Sequence, residues 1–125
     1  MILDTDVLID LKRKHPPAIT WLAALPAPPL VCGVAAMELL YGSWDKREQQ
    51  AVQKFMTPFP LAWPTEEDMV RAYSEYVPLA LAFSIGLLDT MIASTAMGLG
   101  LPLATFNVKH YSHVPDLMTV QPYKR

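Results

Sequence analysis

A chain of 125 residues with 52% hydrophobic and only 18% charged side chains is long enough for one real core and too short for a catalytic domain plus a second module. Its net charge of -2 excludes a general electrostatic grip on nucleic acid, because non-specific phosphate affinity is carried by lysine and arginine, and leaves room only for a local basic patch. The single cysteine, Cys32, excludes an internal disulfide and reads as a small core residue in a reducing compartment.

The first residues, Met-Ile-Leu-Asp, carry no basic leader and no long apolar export segment, so a cytoplasmic location is expected. Met1 to Asp4 reads as a short buried strand ending in an acid. Asp6 is then placed to cap a helix through Val7, Leu8 and Leu11 to Lys14, stopped by Pro16-Pro17, with Asp10 pairing to Lys14 on its exposed face. A second helix is expected around Ala18 to Leu25, ended by the prolines at 26 to 29. Leu30 to Cys32 reads as a buried strand and Val34 to Tyr41 as the helix after it. The polar stretch Trp44 to Lys54 marks a solvated helical face.

A strand-like piece around Phe59 to Trp63 precedes Thr65-Glu66-Glu67-Asp68, where Thr65 as N-cap and acids in the first turn start a helix running to about Phe83, with a bend at Pro78. Leu87 to Met97 is an Ala-rich helix closed by Gly98 and Gly100. Leu101 to Thr105 and a segment near Leu117 to Gln121 complete the strands. The apolar run from Tyr76 to Val108 is not a membrane span. Pro78, Gly86, Gly98, Gly100 and Pro102 divide it, and Asp89 at mid-bilayer would cost roughly 2.5 to 3.5 kcal/mol. Strands alternating with helices predict an α/β three-layer sandwich, a mainly parallel central sheet flanked by helices, forming one domain over 1–125.

Asp4, Glu38 and Asp89 each interrupt an otherwise apolar stretch, where a charge costs several kcal/mol of desolvation unless it is paired or neutralised. Asp4 ends the first strand, Glu38 sits one turn into the helix after the second, Asp89 opens the Ala-rich helix and Asn107 lies just beyond Leu101 to Thr105. The four are therefore expected to converge on one rim, since in a parallel sheet sites form outside the carboxyl ends of the strands. Carboxylates gathered there repel by about 4 kcal/mol per pair at about 4 Å and an effective dielectric near 20. A hard divalent cation offsets that, and an oxygen-only donor set suits Mg²⁺ or Mn²⁺ better than zinc. Phosphate chemistry through a metal-activated water follows, with no nucleophilic side chain required. The histidines His15, His110 and His113 have no metal-ligand spacing. Lys109, His110 and Lys12 are the candidates for touching phosphates.

The segments MILDTDVLID, VAAMELLYG, GLLDTMIASTAMGLGLPLATFN and VKHYSHVPDL, in this order, resemble the PIN-domain toxins of VapBC toxin–antitoxin modules over nearly the whole chain. The resemblance implies a Mg²⁺-dependent endoribonuclease with Asp4, Glu38, Asp89 and Asn107 in the site, and with Asp4 and Asp89 as direct metal ligands. Glu38 would complete the shell or order its water, while Thr5, Asp6 and Thr105 would shape the surrounding loops. It also implies an RNA substrate, a small antitoxin partner, and, with the apolar excess, a homodimer. Where family members often carry a further acid, this chain has Asn107, which puts a second metal in doubt. Two other readings compete. One is a silent RNA- or protein-binding module on the same fold; the other is an aspartyl-phosphate phosphatase using Asp4-Thr5-Asp6, which lacks the lysine and acidic pair that chemistry needs.

Overall fold

The computed structural model describes residues 1–125. Five strands, β1 (Ile2–Leu3), β2 (Leu30–Cys32), β3 (Leu61–Ala62), β4 (Leu103–Ala104) and β5 (Thr119–Val120), form one sheet in the order β3-β2-β1-β4-β5. Every neighbouring pair is parallel, so the expected mainly parallel sheet is wholly so. Ile2 and Leu3 stand opposite Leu30 and Val31 on one side and Leu103 and Ala104 on the other. The central strands β1 and β4 are fully buried apolar pairs, as a parallel sheet covered by helices requires.

Connections from β1 run outward to β2 and β3, then return past β1 to β4 and β5. The strand order therefore reverses at β1, and the crevice between the carboxyl ends of β1 and β4 is the topological switch point where α/β proteins place their sites. Asp4 follows β1 and Thr105 follows β4, so both sit at that crevice.

The helices are α1 (Thr5–Lys12), α2 (Pro16–Ala23), α3 (Gly33–Tyr41), α4 (Lys46–Met56), α5 (Glu66–Arg71), α6 (Val77–Phe83), α7 (Leu87–Leu99) and α8 (Val108–Tyr111). Three local expectations are corrected. Asp6 does not cap α1. Asp4 does, with its side chain accepting from the Thr5 N–H, and Asp6 lies inside the first turn. Asp10 does not pair with Lys14. It is buried and held by Tyr123 and Arg125, while the chain has already left the helix at Lys14 with φ 58°. Pro16-Pro17 open α2 rather than only ending α1, since a first-turn proline has no N–H to waste and its fixed φ suits the helix start.

Between α5 and α6 the helix widens into a π-helical turn, Ala72–Tyr76. Pro78 explains it: proline has no N–H to donate backwards and its ring crowds the carbonyl four residues earlier, so a wider turn absorbs the mismatch expected as a bend. Thr65 and Asp68 form a reciprocal capping box at 3.0 Å in both directions. Asp68 also takes the Arg71 guanidinium at 3.0 Å, and Arg71 reaches the Ser94 carbonyl on α7 at 3.0 Å. This buried network fixes α5 against α7, the helix that carries Asp89.

Close packing at two glycines maintains these contacts. A methyl group on Gly98 would strike the Asp68 carboxylate, and one on Gly33 would strike the Trp63 ring. Asp68 is held by the capping box and Arg71 and cannot yield, whereas Trp63 is 56% exposed and can swing away. Gly98→Ala is therefore expected to lower stability by about 1–3 kcal/mol despite alanine's better helix propensity, and Gly33→Ala by clearly less. Urea denaturation of the two variants checks the order; equal losses would refute the Asp68 clamp.

Candidate functional site

Asp4 is 4% exposed at the end of β1. Its Oδ1 accepts from the Thr5 N–H at 2.8 Å, and its Oδ2 accepts from the Thr105 hydroxyl at 2.8 Å. That hydroxyl also lies 3.4 Å from Asp6 Oδ2 and itself accepts the Asn107 N–H at 2.9 Å. Asp6 Oδ2 accepts the Phe106 N–H at 2.9 Å, whereas Asp6 Oδ1 is buried without a partner. The loop after β4 thus grips the loop after β1, and Thr105 is the hub between them.

Burial drives the electrostatics. It pushes the Asp4 carboxyl up to about 6, the neighbouring Asp6 and Asp89 charges push the same way, and the hydrogen bonds from Thr105 and Thr5 only partly oppose them. Asp6 is raised mainly by its burial too, against the Phe106 N–H that favours its charge. Asp89, in the first turn of α7, is half-buried and folds its Oδ2 back over the helix start, where a methyl on Gly86 would come within 3.2 Å. Glu38 lies on α3 and lines a groove of about 320 Å³ with Val34, Met37, Tyr41, Leu88 and Met91, of which Leu88 directly precedes Asp89 on α7.

One member of this neighbourhood escaped the sequence reading. Tyr111, on α8, is 1% exposed, and its hydroxyl lies beside Asp4 although no acceptor meets hydrogen-bond geometry. Burial first, then the charges of Asp4 and Asp89, raise its pKa, so the phenol stays protonated and is an available donor. Nothing in the pattern of a four-residue helix distinguishes a tyrosine turned into a site from one turned into the core. Phe106 was also missed, because its contribution is a backbone N–H.

The other candidates are placed as follows. Thr5 opens α1 with its hydroxyl buried and unpartnered. Asn107 precedes α8 and makes no side-chain capping bond. Lys109 and His110 are exposed on α8, just beyond Asn107. Lys12 stands at the far end of α1, about 12 Å along the helix from Asp4, and is paired with Glu48 at 3.2 Å. His15 packs against Tyr123 and His113 stacks on Phe83 at 3.7 Å, so neither stands among the acids.

No three acidic, histidine or cysteine side chains converge tightly enough here to enclose an ion. The donor set nevertheless fits a hard cation. Its oxygens are carboxylate and hydroxyl, Asp6 Oδ1 is buried with no hydrogen-bond partner, and the burial of Asp4, together with its repulsion by Asp6 and Asp89, is a cost that a divalent charge would relieve.

Aspartates gathered at the switch point of a five-stranded parallel sheet define an α/β domain with its site at the carboxyl ends of the strands. The chain belongs to the PIN-domain family, which matches residues 1–116 and whose members are generally nucleases. Its fold is that of a chain in a toxin–antitoxin complex from Klebsiella pneumoniae, 26% identical, covering 99% of this chain and 98% of that one, with a TM-score of 0.77. It is also similar to chains of VapBC2 from Rickettsia felis bound to a promoter DNA fragment and of DNA-bound VapBC from Salmonella typhimurium. Each is 23% identical with a TM-score of 0.81, covers 95% of this chain, and is itself covered over 96% and 95% of its length respectively. No curated protein sequence matches. No helix is long and apolar enough to cross a membrane.

The raised Asp4 carboxyl links stability to pH. Its folded-state pKa, about 6, lies above the ordinary 3.8, so the folded chain holds this proton more tightly than the unfolded one. That contribution is fully present below the unfolded value and is lost as pH rises through the folded one. Without divalent ions, Asp4→Asn is expected to exceed the parent chain in stability by up to roughly 3 kcal/mol at about pH 8, the gap closing toward about pH 4. Urea titrations at both pH values check it; a pH-independent difference would contradict the assignment.

Proposed function

We propose that the chain is a Mg²⁺-dependent endoribonuclease, the toxin of a type II toxin–antitoxin module. The observation that carries this reading is the burial of Asp4 beside Asp6 and Asp89, an arrangement whose repulsion a divalent cation relieves. Family membership supports nuclease chemistry, and the likeness to chains of toxin–antitoxin complexes supports the toxin role.

Asp4 and Asp89 would hold the ion, with Mn²⁺ an acceptable substitute for Mg²⁺. When bound, the ion supplies a water of lowered pKa and a positive charge for the phosphodiester oxygens. The chain's own groups do the positioning. The Thr5 N–H and the Thr105 hydroxyl each occupy one oxygen of Asp4 and fix the plane of its carboxylate. Asp6, held by the Phe106 N–H, keeps its free Oδ1 at the site, and Glu38 offers a second carboxylate across the groove as acceptor for a water proton. Asn107 supplies a neutral oxygen and no charge, which favours one firmly held ion. Lys109 and His110, exposed one turn beyond Asn107, are placed for RNA phosphates.

The groove between α3 and α7 is apolar except for Glu38, which suits an antitoxin segment that brings apolar side chains and a basic group for the acids. Tyr73, Val77 and Leu87 line one shallow apolar depression, with Met69 exposed at its rim, and this face would suit a homodimer. Such a toxin would act in the cytoplasm, where its RNA substrates are.

Incubation with pooled RNA in Mg²⁺ is expected to yield endonucleolytic fragments, which EDTA abolishes and Asp4→Asn or Asp89→Asn reduces by at least about 100-fold. Cleavage surviving both EDTA and the substitutions would sink the proposed mechanism. Binding of RNA without cleavage would instead favour the silent module.

A further inference from the structure

The segment Gln121–Arg125 follows β5 and folds back over α1. Asp10, 6% exposed on that helix, receives the Nε–Nη2 edge of the Arg125 guanidinium: Nη2 donates to Oδ1 at 3.0 Å and Nε to Oδ2 at 3.1 Å. Tyr123 adds its hydroxyl to Asp10 Oδ2 at 2.8 Å. Burial alone would raise the Asp10 carboxyl, yet the bonds from Arg125 and Tyr123 outweigh it and hold it below the ordinary range. A bidentate pair on a buried acid is a firm anchor for the last residues of this segment.

The same two side chains grip Phe106. The Arg125 guanidinium lies 4.7 Å from the Phe106 ring centroid, and the Tyr123 ring meets Phe106 edge-on at 4.9 Å and 66°. His15 and Trp21 pack on Tyr123 at 6.1 and 6.0 Å and close the cluster from α2 and the turn before it. Phe106 is the residue whose N–H binds Asp6, and it stands between Thr105 and Asn107, the two residues that complete the hub at Asp4.

We propose that Gln121–Arg125 is a strap that positions the acid site: Arg125 and Tyr123, anchored on Asp10, clamp the Phe106 ring and so hold its N–H on Asp6. Arg125 and Tyr123 are positioning residues that hold the site through Phe106, and the Arg125 charge also favours the ionised Asp6. The inference rests on the proposed metal-dependent reading for its consequence, metal affinity, but not for its first link, the Phe106–Asp6 bond. Whatever lifts the strap, including a partner that competes for Asp10 or for the Phe106 ring, would loosen the Asp6 carboxylate without entering the site.

The test uses the full chain with Arg125→Gln, and with Asp10→Asn/Arg125→Gln, which removes both charges and leaves no unpaired carboxylate buried if the single variant folds poorly. Amide hydrogen exchange of Phe106 is followed against that of Ile92 in the core, and Mn²⁺ affinity is measured by titration calorimetry. The strap predicts that Phe106 exchange accelerates about tenfold relative to Ile92 and that the Mn²⁺ dissociation constant rises about tenfold. It is overturned if Phe106 keeps its exchange rate or speeds up only in step with Ile92. A loosened Phe106 with unchanged Mn²⁺ affinity overturns the positioning role equally. If the parent chain neither binds Mn²⁺ nor cleaves RNA, the proposed function fails, and the strap then stands or falls on Phe106 exchange alone.

Discussion

A single hydroxyl organises this molecule's functional edge. Thr105 Oγ1 has one proton and two lone pairs, and the fold brings three groups to it: Asp4 Oδ2 at 2.8 Å, Asp6 Oδ2 at 3.4 Å and the Asn107 N–H at 2.9 Å. The amide occupies a lone pair, so the proton goes to a carboxylate, and distance selects Asp4. This contact joins residues 101 positions apart and ties the end of β1 to the end of β4 where the strand order reverses. The two strands are only two residues each, and backbone pairing alone would leave the loops beyond them free to separate.

The site spends stability gained elsewhere. Burying Asp4 beside two other acids works against folding, and the core must outweigh it: Ile2, Leu3, Val7, Leu8, Ile92 and Leu103 are fully buried around the same strands. Apolar burial at about 25 cal/mol per Å² readily outweighs one destabilised carboxylate, but only because the remaining acids are distributed. Asp10 has Arg125, Asp68 has Arg71, and Glu48 has Lys12. Asp4, Asp6, Glu38 and Asp89 make no ion pair, and unlike the other unpaired acids, which are exposed, they lie at one edge of the sheet or along the groove beside it.

That division explains how much the sequence disclosed. The strand Leu30–Cys32 was legible to the residue, because an apolar run bounded by prolines and Gly33 has no other stable use in a parallel sheet. The capping box at Thr65 and Asp68 was legible for the same reason that it works, since its two bonds span three residues. Asp4, Glu38 and Asp89 stood out as charges in apolar surroundings. What failed was anything decided by distant partners. The Asp10–Lys14 pairing is the natural local choice, yet the competitor is a bidentate arginine 115 positions away. Asp6 looks like a cap because it directly precedes the apolar face of α1, yet the carboxylate of Asp4 both caps that helix and belongs to the acid site. Tyr111 and the Phe106 N–H carry no sequence signal at all, since their importance lies in where α8 and its preceding loop are pressed.

Asn107 shows why a site can lose an acid and keep its shape. The hub depends on the backbone N–H of residue 107, which holds the Thr105 hydroxyl and so directs its proton to Asp4; the side chain makes no capping bond and takes no part in that geometry. Any residue except proline preserves the bond. An aspartate there would add a fourth negative charge next to a carboxyl already displaced upward by burial and by Asp6 and Asp89, deepening the need for a counter-ion. An asparagine leaves the hydrogen-bond hub intact while lowering the charge that must be neutralised. The architecture of the edge is thus set by main-chain donors and one threonine, and its charge is set separately by side chains that the fold leaves free to vary.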